Sequence, residues 1–263
     1  MPIAEINSQA IHYEDVGAGA PIILGHSFLC TGDMWREQVP VFAENYRVIN
    51  PDLRGHGRSG KATSPWSLED ALQDSIGLLD HLGIDRALWC GLSIGGMVAL
   101  RAALEAPERV SALILMDTDA GPEKPLRILK YRVMGVGAST FGVKPFVPAV
   151  LKMMFGASTL RNNHELVNEY REIFAGIDTE SVVNSLPSLT KRGSVVAQLG
   201  EIKVPSVVIV GEEDKSLPVA RSELIDAHLP DSELVVIPEA GHLSAIEQPE
   251  RVNAAVKSFL GRI

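Results

Sequence analysis

Ser93 sits at the centre of GLSIGG, residues 91–96, in a Gly-x-Ser-x-Gly pattern. A serine hydroxyl is a poor nucleophile until a base takes its proton, and that base needs an acid to fix its tautomer and stabilise the imidazolium. The chain offers seven histidines for the first task. His242, in EAGHLSAIEQPE, lies in a loop expected just after the last strand, where its ring would stand level with Ser93. His12 falls on an early strand, His81 at a helix C-terminus, and His164 and His228 in charged helical surroundings, so these four read as structural. His26 and His56 flank the presumed site but come too early in the chain to be preferred as the base. For the acid, Asp214 in VGEEDKSLP is preferred. Its neighbours Glu212 and Glu213 and, more seriously, Asp117 and Asp119 at another strand end remain as rivals.

The elements that must carry these residues can be read from periodicity. Short apolar runs alternate with longer helical patterns, which predicts a parallel-sheet α/β architecture. Strands are expected over 4–7 and 11–16 as a hairpin turning near Ser8 and Gln9, then over 21–24, 47–50, 87–90, 111–116, 206–210 and 233–237. Helices are expected over 31–43, 68–82 (ended by Gly83), 94–106, 219–228 and 249–260. The run at 87–90 followed by the helix at 94 puts Ser93 in a strand–turn–helix setting, where a strained backbone pushes Oγ out at the sheet edge. Gly91 and Gly95, having no Cβ, allow helix and strand to approach there. Residues 121–200 break the rhythm: they show no clear strand, five prolines and short helical patterns, which reads as a helical insertion resting on the sheet.

The composition narrows the possible partners. The 263 residues are ample for one large core without disulfide or metal staples. At 46% apolar and 22% charged the chain is of ordinary globular make-up. Its net charge of −9 argues against sequence-independent binding to nucleic acid, whose phosphates would repel it. Two cysteines, Cys30 and Cys90, make neither a disulfide framework nor a zinc cluster, and the opening residues lack the basic and apolar regions of a signal peptide. No apolar run is long enough for a membrane span. The expectation is a cytoplasmic protein with a small-molecule substrate, no metal and no organic cofactor; the oligomeric state is not specified by these features.

The order Ser93, Asp214, His242 is the order of the α/β-hydrolase triad. LGHSFLCTGDMW, DLRGHGRS, GLSIGG, VGEEDKSLP and EAGHLSAIEQPE each resemble a signature of that superfamily, in the expected order. Within it the chain is most similar to the carboxylesterase, 3-oxoadipate enol-lactonase and cofactor-free haloperoxidase group. The resemblance implies a mostly parallel eight-stranded sheet flanked by helices, with a helical cap inserted after the sixth strand. The cap would be residues 121–200, and the core residues 1–120 and 201–263. It also implies an oxyanion hole made by the backbone N–H groups of Phe28 and Ile94, and a loop-supporting role for His26. One departure stands out: Ser27 occupies the place where glycine usually follows that histidine.

A serine at the elbow excludes the aspartate-nucleophile branches, dehalogenases and epoxide hydrolases. Leu243, where many carbon–carbon bond hydrolases of this fold carry tryptophan, weakens that reading. The leading expectation is a serine carboxylester hydrolase. Behind it come an enol-lactonase-like lactonase, then a carbon–carbon hydrolase or perhydrolase, and last a non-enzymatic ligand receptor on the same fold. Tyr131, Met134, Phe141, Phe146, Met153, Met154 and Phe155 are candidate pocket walls. The inserted block holds ten basic and six acidic residues, a charge of +4 against −13 for the rest. That excess reads either as solvated helix faces or as a cap attracting anionic substrates.

Overall fold

The fold was analysed in a computed structural model that describes residues 2–263. All eight expected strands are present: β1 (Ile3–Ile6), β2 (Gln9–Gly17), β3 (Ala20–Gly25), β4 (Tyr46–Pro51), β5 (Ala87–Leu92), β6 (Val110–Met116), β7 (Ser206–Gly211) and β8 (Ser232–Ile237). They form one sheet in the order β1-β2-β4-β3-β5-β6-β7-β8. β2 runs antiparallel to β1 and β4, and every other pairing is parallel. The hairpin between β1 and β2 turns through Asn7 and Ser8, both at positive φ (50° and 62°), which suits the tight primed turns that match strand twist. β5, β6 and β7 sit mid-sheet and are buried on both faces, which is why they read as unbroken apolar runs.

Side chains alternate along these strands into two cores. Ile23, Ile49, Trp89, Leu113 and Val208 pack under α2 (Leu68–His81) and α3 (Ile94–Glu105). Ile22, Leu24, Val48, Ile114 and Val207 pack on the opposite face with Met34, Trp35, and Val252, Val256 and Phe259 of the last helix. α2 begins at a capping box in which Ser67 and Asp70 satisfy each other's backbone N–H, and it is followed by Gly83 at φ 66°.

The single helix expected over 31–43 is instead a short 3-10 turn, Gly32–Trp35, followed by α1 (Val39–Ala43). Pro40 is the physical reason: without an N–H it is tolerated only in a first helical turn, so the chain restarts there. Between β6 and β7 lie α4 (Pro125–Phe141), α5 (Val147–Met154), α6 (Ala157–Asn162), α7 (His164–Ala175) and α8 (Thr179–Thr190). α9 (Ala220–His228) separates β7 from β8, and α10 (Ser244–Glu247) and α11 (Pro249–Leu260) close the chain. α8 is stitched to the core: Asn184 Nδ2 donates to the Ala62 carbonyl at 2.8 Å, and the Trp66 N–H donates to the Asn184 carbonyl at 3.1 Å. Among the described residues no helix is long and apolar enough to cross a membrane.

Candidate active site

β5 ends at Leu92 and α3 starts at Ile94, so Ser93 alone makes the turn, at φ 56° and ψ −114°. That left-handed backbone is strained for a residue with a Cβ. Three contacts hold it: the Ser93 N–H donates to the Met116 carbonyl at 2.9 Å, and the Ser93 carbonyl accepts from Met97 N–H at 3.0 Å and Thr118 Oγ1 at 2.7 Å. The glycines make the turn possible. A Cβ on Gly91 would lie 2.2 Å from the Gly95 carbonyl carbon, and one on Gly95 would lie 2.0 Å from the Gly25 carbonyl oxygen.

The ends of three strands then converge. Ser93 Oγ is 2.8 Å from His242 Nε2, and His242 Nδ1 is 2.8 Å from Asp214 Oδ2. Asp214 Oδ1 accepts from the backbone N–H of Ser216 (2.7 Å) and Leu217 (2.8 Å), which fixes the carboxylate from the other side. With Nδ1–H donated to Asp214, Nε2 is left facing the serine hydroxyl as an acceptor. Burial pulls the His242 imidazole pKa down, but the adjacent Asp214 carboxylate, by charge and hydrogen bond, outweighs it and leaves the ring above the ordinary histidine value.

The rivals for the acid have other work. Asp119 pairs with Arg192 at 3.0 Å and Arg221 at 3.3 Å. Glu213 accepts from Ser158 N–H and Oγ, both at 2.7 Å. Asp117 accepts from the Gly211 N–H at 2.8 Å and from the Ser244 hydroxyl, joining the end of β6 to the turns carrying Asp214 and His242. Burial, and then the negative charge of Asp214, push the Asp117 carboxyl well above the usual carboxylate range.

Glu247 was not singled out by sequence reasoning. Its Oε1 accepts from the N–H groups of Gly241 (2.9 Å) and Leu243 (3.2 Å), and its Oε2 from Gly156 N–H (2.8 Å), so it clamps the backbone on both sides of His242. The available signal was slight: a carboxylate directly after the apolar pair Ala245 and Ile246, close behind His242. Beside it, Gly211 and Gly241 meet so closely that a Cβ on Gly211 would lie 2.1 Å from the Gly241 carbonyl oxygen.

On the β3 side, His26 is tied at both nitrogens: Nδ1 donates to the Ser27 carbonyl and Nε2 accepts from the Leu53 N–H, each at 2.8 Å. Burial outweighs the Asp52 charge and lowers its pKa, consistent with a neutral ring. His56 stacks edge-on against Phe28 and Trp66, and burial lowers it to about 3. Ser27, in the glycine position, is fully buried with its N–H on Met34 Sδ at 3.2 Å. Leu29, next to Phe28, takes positive φ (65°).

Ser93 and His242 open onto a cavity with about 930 Å³ of empty space, part of it open to solvent. Phe28, Leu29, Met97, Ser216 and Leu217 form the wall nearest the sheet, and residues between β6 and β7 form the rest. Of the aromatic and methionine candidates, Tyr131, Met134, Phe146, Met153 and Met154 line it. Phe141 instead points to solvent at 74% exposure, and Phe155 is buried against Tyr170 with ring centroids 5.5 Å apart. Three charged residues also reach the wall: Glu123, Arg127 and Arg192. Arg192 is saturated by Asp119, Glu123 (3.1 Å) and the carbonyls of Gly121 and Leu189. Arg127 is looser, 4.0 Å from Glu123 and 3.2 Å from the Lys215 carbonyl.

Comparison with known proteins places this geometry. The family model for the alpha/beta hydrolase fold matches residues 20–249. A 3-oxoadipate enol-lactonase from Acinetobacter baylyi is 30% identical over 255 residues, covering 96% of this chain and 94% of the relative. A solved thermophilic esterase from Thermogutta terrifontis superposes with a TM-score of 0.94 at 31% identity, covering 99% of this chain and 98% of that one. The enol-lactonase from Burkholderia xenovorans superposes at 0.92 with 28% identity, covering 99% and 100%.

Proposed function

The chain belongs to the α/β-hydrolase family, and on that premise we propose that it cleaves carboxylic esters through an acyl-enzyme formed on Ser93. The observation that carries this reading is the unbroken row Ser93 Oγ–His242–Asp214 opening onto an apolar cavity. Ser93 Oγ attacks the ester carbonyl while its proton passes to His242 Nε2. Asp214 orients the ring and stabilises the imidazolium. The N–H groups of Phe28 and Ile94 receive the oxyanion, a contribution of about 3 kcal/mol for each well-placed donor. His242 then protonates the departing alcohol. Water, deprotonated by the same ring, attacks the acyl-enzyme and releases the carboxylic acid. An apolar cavity wall favours esters with hydrocarbon acyl chains over small polar ones.

Hydrolysis of p-nitrophenyl acetate, butyrate and octanoate tests the proposal, with Ser93→Ala alongside. Wild-type turnover that falls about 10⁴-fold or more in Ser93→Ala is expected, with rates rising from acetate to butyrate. Turnover insensitive to Ser93→Ala would sink the acyl-enzyme reading.

A second reading, a lactonase for substrates bearing a carboxylate, is favoured by Arg127 at the cavity wall with only a distant carboxylate partner, and by the enol-lactonase relatives. A carboxylate-bearing lactone assayed against its neutral methyl ester separates the two: preference for the free acid, lost in Arg127→Ala, selects the lactonase.

A further inference from the structure

The outward face of α4 is apolar. Leu126, Leu129, Val133 and Val136 recur at three- and four-residue steps and are 80%, 58%, 64% and 70% exposed, and Phe141 continues the face at the helix end. Helix stripes of this period are normally buried. Here the inward face already has its partners: Tyr131, Gly135 and Ala138 are buried, and Gly135 lies against Leu186 of α8. The exposed stripe is therefore a second apolar face, which nothing among the described residues covers.

Charge says what covers it. Residues 124–164 hold seven cations (Lys124, Arg127, Lys130, Arg132, Lys144, Lys152 and Arg161) and not one carboxylate, in a chain whose net charge is −9. Lys124 at the N-cap of α4 and Lys130 and Arg132 within it are exposed, and no ion pair engages them among the described residues. A second copy packed through the same face would set these cations against their own counterparts with no acid on the helix to offset them. An exposed apolar stripe edged by unpaired Lys and Arg is instead the pattern of a helix that lies in the plane of an anionic bilayer. The acidic remainder of the molecule opposes this only weakly, because at physiological salt the field of charges more than about 8 Å away is largely screened and the cations on this face are local.

We propose that α4 is a peripheral docking helix for an anionic phospholipid surface, with Leu126, Leu129, Val133 and Val136 entering the headgroup boundary and Lys124, Lys130 and Arg132 meeting the lipid phosphates. Arg127 and Met134 line both the cavity of Ser93 and the shallow groove on this outer face, so docking would bring the lipid surface to the wall of the cavity. The docking does not depend on the ester reading, because binding is measured without any substrate.

Vesicle sedimentation of the whole protein tests it, with phosphatidylcholine alone set against phosphatidylcholine carrying about one-third phosphatidylglycerol. The expected result is about tenfold more protein bound to the anionic vesicles, most of it released by high salt. Binding should fall to the phosphatidylcholine level in Lys130→Glu/Arg132→Glu and in Leu129→Glu/Val133→Glu. Unchanged hydrolysis of a soluble short-chain ester, or an unchanged far-ultraviolet circular dichroism spectrum if no ester is turned over, shows that the variants fold. Equal binding to both vesicle types, or to neither, overturns the proposal. So does an anionic-vesicle signal unaffected by both variants. A dimer in light scattering that Leu129→Glu/Val133→Glu converts to monomer, with no vesicle binding, overturns it in favour of a second copy as the occupant.

Discussion

His242 can take a proton from Ser93 only while its Nε2 is unprotonated, so the charge around the ring sets the pH range of the reaction. Asp214 raises the ring above the ordinary histidine value of 6.5, and Asp117 adds to that in the same direction. The working form is the neutral one, so activity is present above the folded pKa and lost as pH falls through it. The acid limb of kcat/KM is therefore expected to have its midpoint above pH 6.5. Asp117→Asn removes a carboxyl that burial and Asp214 hold well above the usual carboxylate range, so the midpoint should move to lower pH to the extent that Asp117 is ionised there, while the rate on the alkaline plateau stays within about tenfold of wild type. Asp214→Asn should lower the plateau itself by about 10⁴-fold, because the tautomer is no longer held. A pH–rate profile of the three proteins distinguishes these roles; an unmoved acid limb in Asp117→Asn would remove Asp117 from the electrostatics of the site.

At the scale of elements, the site is a set of close backbone approaches. β3, β5 and α3 meet at Gly25, Gly91 and Gly95, and the turns carrying Asp214 and His242 meet at Gly211 and Gly241. No side chain can move aside where the obstruction is backbone. Gly95→Ala places its methyl 2.0 Å from the Gly25 carbonyl oxygen, and the expected cost is about 3 kcal/mol or more, seen as a lowered Tm or insoluble protein. Gly200→Ala, where a Cβ would meet nothing within 4 Å, is the matched control and should leave Tm within a few degrees. Equal melting of the two variants would show that α3 can shift away from β3. α1 gives the opposite lesson about elements: its apolar periodicity extends back through Trp35, yet Pro40 resets the helix at Val39.

At the scale of the whole molecule, the helices between β6 and β7 must be held over the sheet, and a buried charge network helps to hold them. Arg192, just after α8, is 7% exposed and bonds to Asp119 after β6, to Glu123 before α4 and to two carbonyls. Removing the cation leaves two buried carboxylates facing each other. Arg192→Met is expected to cost about 3–5 kcal/mol, read as a drop in urea midpoint at neutral pH. Arg192→Met with Asp119→Leu and Glu123→Leu should recover much of that loss, because the uncompensated charges go with it. A single variant as stable as wild type would mean that Arg221 and Arg127 neutralise the pair unaided.

The sequence by itself determined the sheet and pointed to Ser93 and His242, with Asp214 preferred among several acids. Strand runs such as those at β6 and β7 are apolar because both faces are covered, so they are visible without knowing what covers them. Ser93, Asp214 and His242 were legible because each lies in a short local pattern, and local pattern follows from backbone constraints that act over a few residues. Other assignments waited on tertiary structure because they depend on contacts between distant segments. Asp117 was a plausible acid until its oxygens were seen to be taken by Gly211 and Ser244, 94 and 127 residues away. Glu247 carries no local motif of its own, and its role depends on Gly156, 91 residues before it. Phe141 and Phe155 were indistinguishable from Phe146 as pocket walls, because a helical period says which residues share a face but not what that face meets. The same gap hid the outer stripe of α4: apolar spacing signals an amphipathic helix, and only the packed molecule reveals that one of its apolar faces has been left to the outside.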